Sequence, residues 1–303
     1  MSPPDSRPRL LLVGGGAGLV GHAVLREFGS DYQIRSLHRS ASPEESNAGI
    51  DWWPVDIASY ADWDRAFADV AVVLNVAWYR WGKPVLFAGL LRGLERMLEA
   101  ARRSKIRRFL HLSVPDAPPE LESQLPYLTY KRQFDRSLAE SGLSYAILRP
   151  TMLFGPGDRL LTVMLRLMHR YPVFPMFGSG QYHVSPIAVP DLARALHLEA
   201  ESDGRGVRDL GGPERYEYRA LTDRMFQSLK KRPRYWSFSD RGSVRLARLV
   251  QSLGSSLLYA YEVEWLLSDR LGLPAYGRLD RPLTRVEPFL DREAENLQHA
   301  VRG

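Results

Sequence analysis

The 303-residue chain contains no cysteine, which excludes disulfides, thiolate nucleophiles and Cys-ligated zinc. No apolar run reaches the roughly 18 residues that read as a membrane span, so none is expected. Residues 1–8 lack the apolar segment of a secretory signal. They are expected to be a disordered tail on a cytoplasmic protein. Several catalytic frames are missing as well. There is no G-x-x-x-x-G-K-[ST] phosphate loop and no G-x-S-x-G nucleophile turn, since Gly178-Ser-Gly180 lacks the frame. The seven histidines form no H-x-x-x-H pair, and no metal site is expected. Lysine is scarce, with five among the 41 basic residues. The net charge is +6, and the densest basic block is Lys230-Lys-Arg-Pro-Arg234. No nucleic-acid partner is expected from so short a block. Hydrophobic and charged contents of 45% and 25% suit a soluble globular chain with one large core or two domains.

The strongest pattern lies at residues 9–39. Leu10 to Val13 is wholly apolar, as in a strand buried on both faces of a parallel sheet. Gly14-Gly-Gly-Ala-Gly-Leu-Val-Gly21 follows, with Gly15, Gly18 and Gly21 spaced G-x-x-G-x-x-G. Glycines there let the backbone turn sharply and let a pyrophosphate approach, while the following helix offers free N–H groups to the anion. A glycine-rich turn with no ligand is the alternative. The second strand ends at His38-Arg39. An acid at that end would hold an NAD ribose; Arg39 instead suits a 2′-phosphate, so NADP(H) is favoured, with NAD(H) the alternative.

Strands are expected at residues 50–56, 70–76, 108–114 and 145–148. Helices are expected at 60–68, 84–104 and 127–141, with Leu86, Leu90, Leu94, Met97 and Leu98 on the apolar face of the long one. This alternation predicts a doubly wound parallel α/β sheet over residues 9–150. Residues 151–303 are expected to form a smaller, mostly helical substrate subdomain, interleaved with the first. Within it Asp191 is expected to cap a helix running to about Ala200. Apolar residues recur between Val244 and Leu271 among arginines. They either cover the small domain or contact a membrane surface or a protein partner.

Tyr127-Leu-Thr-Tyr-Lys131 is the second strong signal. Positions i and i+4 share a helix face, and a lysine near a phenol favours the phenolate. Such a tyrosine can pass a proton to or from a substrate oxygen while hydride moves at a nicotinamide. Ser113 closes the fifth strand, where a hydroxyl could hold that oxygen. Trp78-Tyr-Arg-Trp81 follows the fourth strand; it either walls the substrate pocket or packs beneath a loop.

These motifs, in this order, resemble the short-chain dehydrogenase/reductase superfamily. Leu148-Arg-Pro-Thr-Met-Leu-Phe-Gly155 and the stretch from Gly180 to Ala193 add to the likeness. Together they point to its extended or atypical, epimerase/dehydratase-like branch, near the relatives of an NAD(P)-binding accessory subunit of respiratory complex I. The resemblance implies that Gly15, Gly18, Leu19 and Gly21 hold the dinucleotide, and that Asp56 and Ile57 lie beside the adenine. It places Asn75, Val76 and Ala77 along the dinucleotide, and Pro150, Thr151 and Met152 facing the nicotinamide. Tyr127 would be the proton donor, Lys131 would sit on the nicotinamide ribose, and Ser113 would complete the catalytic set. It departs from the superfamily in one respect: only 14 positions separate Ser113 from Tyr127. Two functions remain open. One is an oxidoreductase acting on a small molecule, or an epimerase/dehydratase with transient coenzyme use. The other is a non-catalytic NADP(H)-binding sensor or assembly subunit.

Overall fold

A computed structural model describes residues 6–14, 16, 18–39, 49–79, 83–158, 160–253 and 259–300. Its first half alternates strand and helix: β1 (Arg9–Val13), α1 (Leu19–Phe28), β2 (Gln33–His38), β3 (Ile50–Pro54), α2 (Trp63–Ala66), β4 (Val70–Asn75), α3 (Pro84–Arg103), β5 (Arg108–Leu112), α4 (Pro119–Gln124), α5 (Pro126–Glu140) and β6 (Tyr145–Pro150). The second half holds β7 (Leu153–Phe154), α6 (Leu160–Arg170), β8 (Phe174–Phe177), β9 (His183–Val184), β10 (Ile187–Ala188), α7 (Val189–Ala200), β11 (Gly206–Leu210), β12 (Tyr216–Glu217), α8 (Tyr218–Ser228), β13 (Tyr235–Phe238), α9 (Asp240–Ser252), α10 (Ala260–Leu267) and α11 (Glu287–Ala300).

Seven strands form one sheet in the order β11-β6-β5-β4-β1-β2-β3, and β1 to β6 pair parallel. The apolar runs of β1 and β4 are buried because helices cover both faces of such a sheet. The edge strand β3 is half exposed, with Pro54 at its end, where a missing N–H costs no ladder bond. Chain order reverses between β1 and β4, which opens the crevice where ligands bind in such sheets.

The chain divides into two compact units. One holds residues 1–114, 122–149 and 192–208, the other 115–121, 150–191 and 209–303. The first has its core around Leu11, Val73, Leu94, Met97, Phe109 and Phe134. The second has a methionine-rich core around Met164, Met168, Met176, Met225 and Leu290. Residues 192–208 return to the first unit because Arg108, 1% exposed, donates to the Glu199 carbonyl at 2.9 Å and to its carboxylate at 3.2 Å. A buried guanidinium needs such partners.

Three sequence expectations are corrected, and one helix that the sequence did not announce is added. Part of the tail is pinned: Arg7 donates to the Gly29 carbonyl at 2.7 Å, and Pro8 accepts from the Gln33 amide at 3.0 Å. Residues 1–5 lie outside the described residues. Leu86 is 49% exposed; the buried face of α3 runs instead through Phe87, Leu90, Leu91, Leu94, Met97 and Leu98. The proline-rich stretch after Ser113 contains the unforeseen α4. Asp191 lies inside the first turn of α7, and its buried carboxylate accepts from the Thr284 amide at 2.6 Å rather than capping the helix.

Candidate active site

The glycine turn leaves the sheet at the reversal of strand order. Gly14 has φ +75°, and a Cβ there would lie 2.5 Å from that of Ala77, so the position accepts only glycine. Its amide donates to the Leu37 carbonyl at 2.9 Å, while the Val76 amide donates to Val13 at 3.0 Å. Gly15 lies outside the described residues. Gly16 packs against Ser36 and Trp52, where a Cβ would meet them at 2.6 and 2.8 Å.

Exposed Gly18 is the extended N-cap of α1 and offers no side-chain cap; no acid occupies the first turn. The first-turn N–H groups, from half-buried Leu19 to buried Gly21, therefore keep both their hydrogen-bonding capacity and the positive end of the helix dipole. An uncapped helix start, a glycine cradle against Ala77 and no neighbouring carboxylate in that turn fit a dinucleotide's diphosphate.

At the far end of β2, Arg39 is exposed, and its guanidinium lies 5.6 Å from the Tyr79 ring centroid. Asp51, in register with Arg35 rather than with Arg39, is bound to Arg35 at 2.8 Å. Asp56 is exposed, and its carboxylate accepts from the Ala58 amide at 3.0 Å, shaping the turn that carries buried Ile57. Val76 is half-buried and Ala77 buried directly after β4. Sequence reasoning missed Gly93 of α3, where a Cβ would lie 2.1 Å from the Ile57 carbonyl oxygen; only a bare backbone lets α3 approach this turn.

Tyr127 and Lys131 occupy the first two turns of α5, which opens with Pro126 at its amino end. Lys131 is 4% exposed, and its Nζ lies 4.5 Å from the centroid of the Trp78 ring. The same indole meets the Tyr127 ring edge-on at 6.4 Å, and Phe87 meets it at 6.3 Å. Trp78 thus bridges the two residues the sequence paired. The indole Nε1 of Trp78 is buried and has no hydrogen-bond partner among the described residues. Trp81 lies outside them. Burial pushes the Lys131 ammonium down to about 7, against the attraction of Asp135.

A buried polar network, not legible as a motif, lies one turn further along α5. Asp135 accepts from the Ser113 hydroxyl and from Arg132, both at 2.8 Å. Fully buried His111 has Nε2 3.4 Å from the second Asp135 oxygen and Nδ1 3.1 Å from the Asn75 amide nitrogen. Asn75 in turn accepts from the Ala77 amide at 3.1 Å, fixing the turn after β4. Burial would raise the Asp135 pKa, but His111, Arg132 and Ser113 hold it well below the usual carboxylate range. Burial lowers that of His111. Ser113, expected to hold a substrate oxygen, instead directs its proton to Asp135 and is 2% exposed.

Pro150 closes β6, and Thr151 and Met152 follow it in the second unit. The Thr151 amide donates to Leu210 at 3.1 Å and its hydroxyl donates to the Ser185 carbonyl, while Met152 is buried in that unit's core. Among the described residues no group of His, Asp or Glu could hold a metal ion.

Residues 11–210 match the NAD dependent epimerase/dehydratase family. Two curated relatives illustrate the range. Subunit 9 of the NADH dehydrogenase 1 alpha subcomplex from Arabidopsis thaliana is 26% identical over 141 residues, 46% of this chain and 35% of that protein. The chain thus spans well under half of that relative's length. A ceramide reductase from Caulobacter vibrioides is 24% identical over 259 residues, 81% of this chain and 78% of the relative. Among solved structures, the UDP-glucuronic acid 4-epimerase of Bacillus cereus, in complex with UDP-glucuronic acid and NAD, has a TM-score of 0.67 and 18% identity, and covers 96% of this chain and 99% of that one. That likeness is one of fold.

Proposed function

We propose, for a chain that belongs to the NAD dependent epimerase/dehydratase family, an NADP(H)-dependent oxidoreductase that reduces or oxidises a carbonyl–alcohol pair on a small molecule. The observation that carries this reading is Lys131, buried against Trp78 one turn beyond Tyr127. A bound nicotinamide supplies or accepts the hydride. The Tyr127 hydroxyl gives the substrate oxygen its proton, or takes it in reverse. Lys131 lowers the cost of the phenolate left behind and donates to the nicotinamide ribose. The N–H groups at the start of α1 hold the diphosphate, and Arg39 forks onto the 2′-phosphate. Half-buried Trp78 and Tyr130, backed by buried Phe87, offer aromatic surface near Tyr127 for an apolar part of the substrate. Ser113 acts through Asp135 in this reading. That commitment of its proton also favours the second reading, a protein that holds the coenzyme without turning it over.

Titration with NADPH and NADH, followed by nicotinamide fluorescence, tests the coenzyme assignment. NADPH is expected to bind more tightly. Arg39→Ala is expected to weaken NADPH about 10- to 100-fold, the loss of a charged hydrogen-bond partner, and to leave NADH within about twofold. Tighter binding of NADH by the unaltered chain would overturn the role of Arg39.

A further inference from the structure

A surface of the second unit is unused by this chemistry. Residues 230–253 carry seven lysines and arginines against a single acid, Asp240, a net +6 equal to that of the entire chain. Within α9, Ser243 and Ala247 face the core. On the outer side Arg241, Arg245, Arg248 and Ser252 recur at three- and four-residue steps and form one stripe. Gly242, Leu246, Leu249 and Leu253 recur in the same way and form the stripe beside it. Leu246 leans into the core, but Leu249 and Leu253 are 58% and 79% exposed.

The apolar stripe continues past the helix start. Phe238 Cβ lies 3.7 Å from where a Gly242 Cβ would stand, and the ring of Trp236, 68% exposed, lies 5.1 Å from that of Phe238. Lys230, Arg232 and Arg234 precede it, all exposed, while the Lys231 ammonium donates to the Met168 and His169 carbonyls. Arg248 donates to Glu264 at 3.0 Å.

We propose that α9 and the segment before it dock this protein on an anionic phospholipid surface, with Trp236, Leu249 and Leu253 inserted at the headgroup boundary and Arg241, Arg245, Lys230, Arg232 and Arg234 on the lipid phosphates. A nucleic acid would use the cations but leaves three exposed apolar side chains without a role. A lipid interface uses both stripes, because insertion of leucine and tryptophan and attraction to anionic headgroups add.

The test is vesicle flotation of the full chain. It is expected to float with phosphatidylcholine vesicles containing about 30 mol % phosphatidylglycerol, and not with phosphatidylcholine alone. Salt at about 0.5 M releases it, because the Debye length then falls below the reach of the surface charge. L249E together with L253E abolishes flotation. R241E together with R245E weakens it at least about 30-fold, since each basic residue at such a surface contributes roughly a factor of five. NADPH affinity, read by fluorescence, is expected to be unchanged in both variants, which separates lost docking from lost folding. Failure of the unaltered chain to float overturns the proposal. So does equal flotation with neutral vesicles, or flotation that survives L249E/L253E. Tight binding of a short DNA duplex that the leucine changes leave intact, without flotation, would assign the face to nucleic acid instead.

Discussion

Tyr127→Phe is expected to lower kcat for NADPH-linked carbonyl turnover about 10²- to 10⁴-fold, the usual worth of a positioned general acid, while the coenzyme Kd stays constant. The ring packing against Trp78 and Phe87 survives, while the hydroxyl and the proton it carries are lost. Unchanged turnover would favour the non-catalytic reading. Lys131→Met separates function from stability. Burial holds the Lys131 pKa at about 7 in the folded chain, below the ordinary lysine value of about 10.4. Between those values the unfolded chain holds more protons, so stability rises with pH across that window, and the cost of burying the charge is fully present below about 7. Methionine removes that cost. Lys131→Met is expected to abolish activity yet raise the unfolding free energy at pH 6 by about 1–3 kcal/mol, in line with apolar replacement of buried charges, and to flatten its rise between pH 7 and 10. Denaturant unfolding at several pH values checks it.

Asp135→Ala is expected to cost about 3–5 kcal/mol, because it removes the buried carboxylate that Arg132, Ser113 and His111 share, although Arg132 keeps the Val114 carbonyl at 2.9 Å and Glu122 at 3.7 Å. The carboxylate is engaged by Arg132 and Ser113 at 2.8 Å and neighboured by His111 at 3.4 Å and Arg149 at 3.8 Å. Asp135→Asn keeps the shape and is expected to cost less. The depressed carboxylate stabilises the fold above its ordinary pKa, and that stability drains as pH falls below it. Acid unfolding of the unaltered chain therefore includes the loss of this network, and Asp135→Ala should unfold at higher pH. Because Asn75 ties the network to the Ala77 amide, NADPH affinity should fall as well. A change below about 1 kcal/mol in Asp135→Ala, the level of exposed pairs, would contradict the network's role.

The unit from β1 to β2 was legible because its physics is local. A strand buried on both faces must be apolar along its length, and a position whose Cβ would stand 2.5 Å from that of Ala77 must be glycine. The Tyr127–Lys131 pair was legible from helical spacing alone. Long-range contacts were not. The return of residues 192–208 depends on Arg108 finding Glu199 91 positions away, and no periodicity announces such a pair. Asp191 carried a cap residue's chemistry, but its partner is Thr284 on a distant segment. The His111–Asp135 contact joins a strand to a helix, so neither element's own pattern reveals it. Ser113 was read from its place at a strand end, whereas its hydrogen bond was set by a carboxylate 22 positions on.

A crystal structure of the chain soaked with NADPH shows directly whether the start of α1 holds the coenzyme. The diphosphate is expected against the Gly18 and Leu19 amides, the 2′-phosphate on Arg39, and Lys131 within hydrogen-bond reach of the nicotinamide ribose. Coenzyme bound elsewhere, or a diphosphate that makes no contact with the start of α1, would contradict that placement.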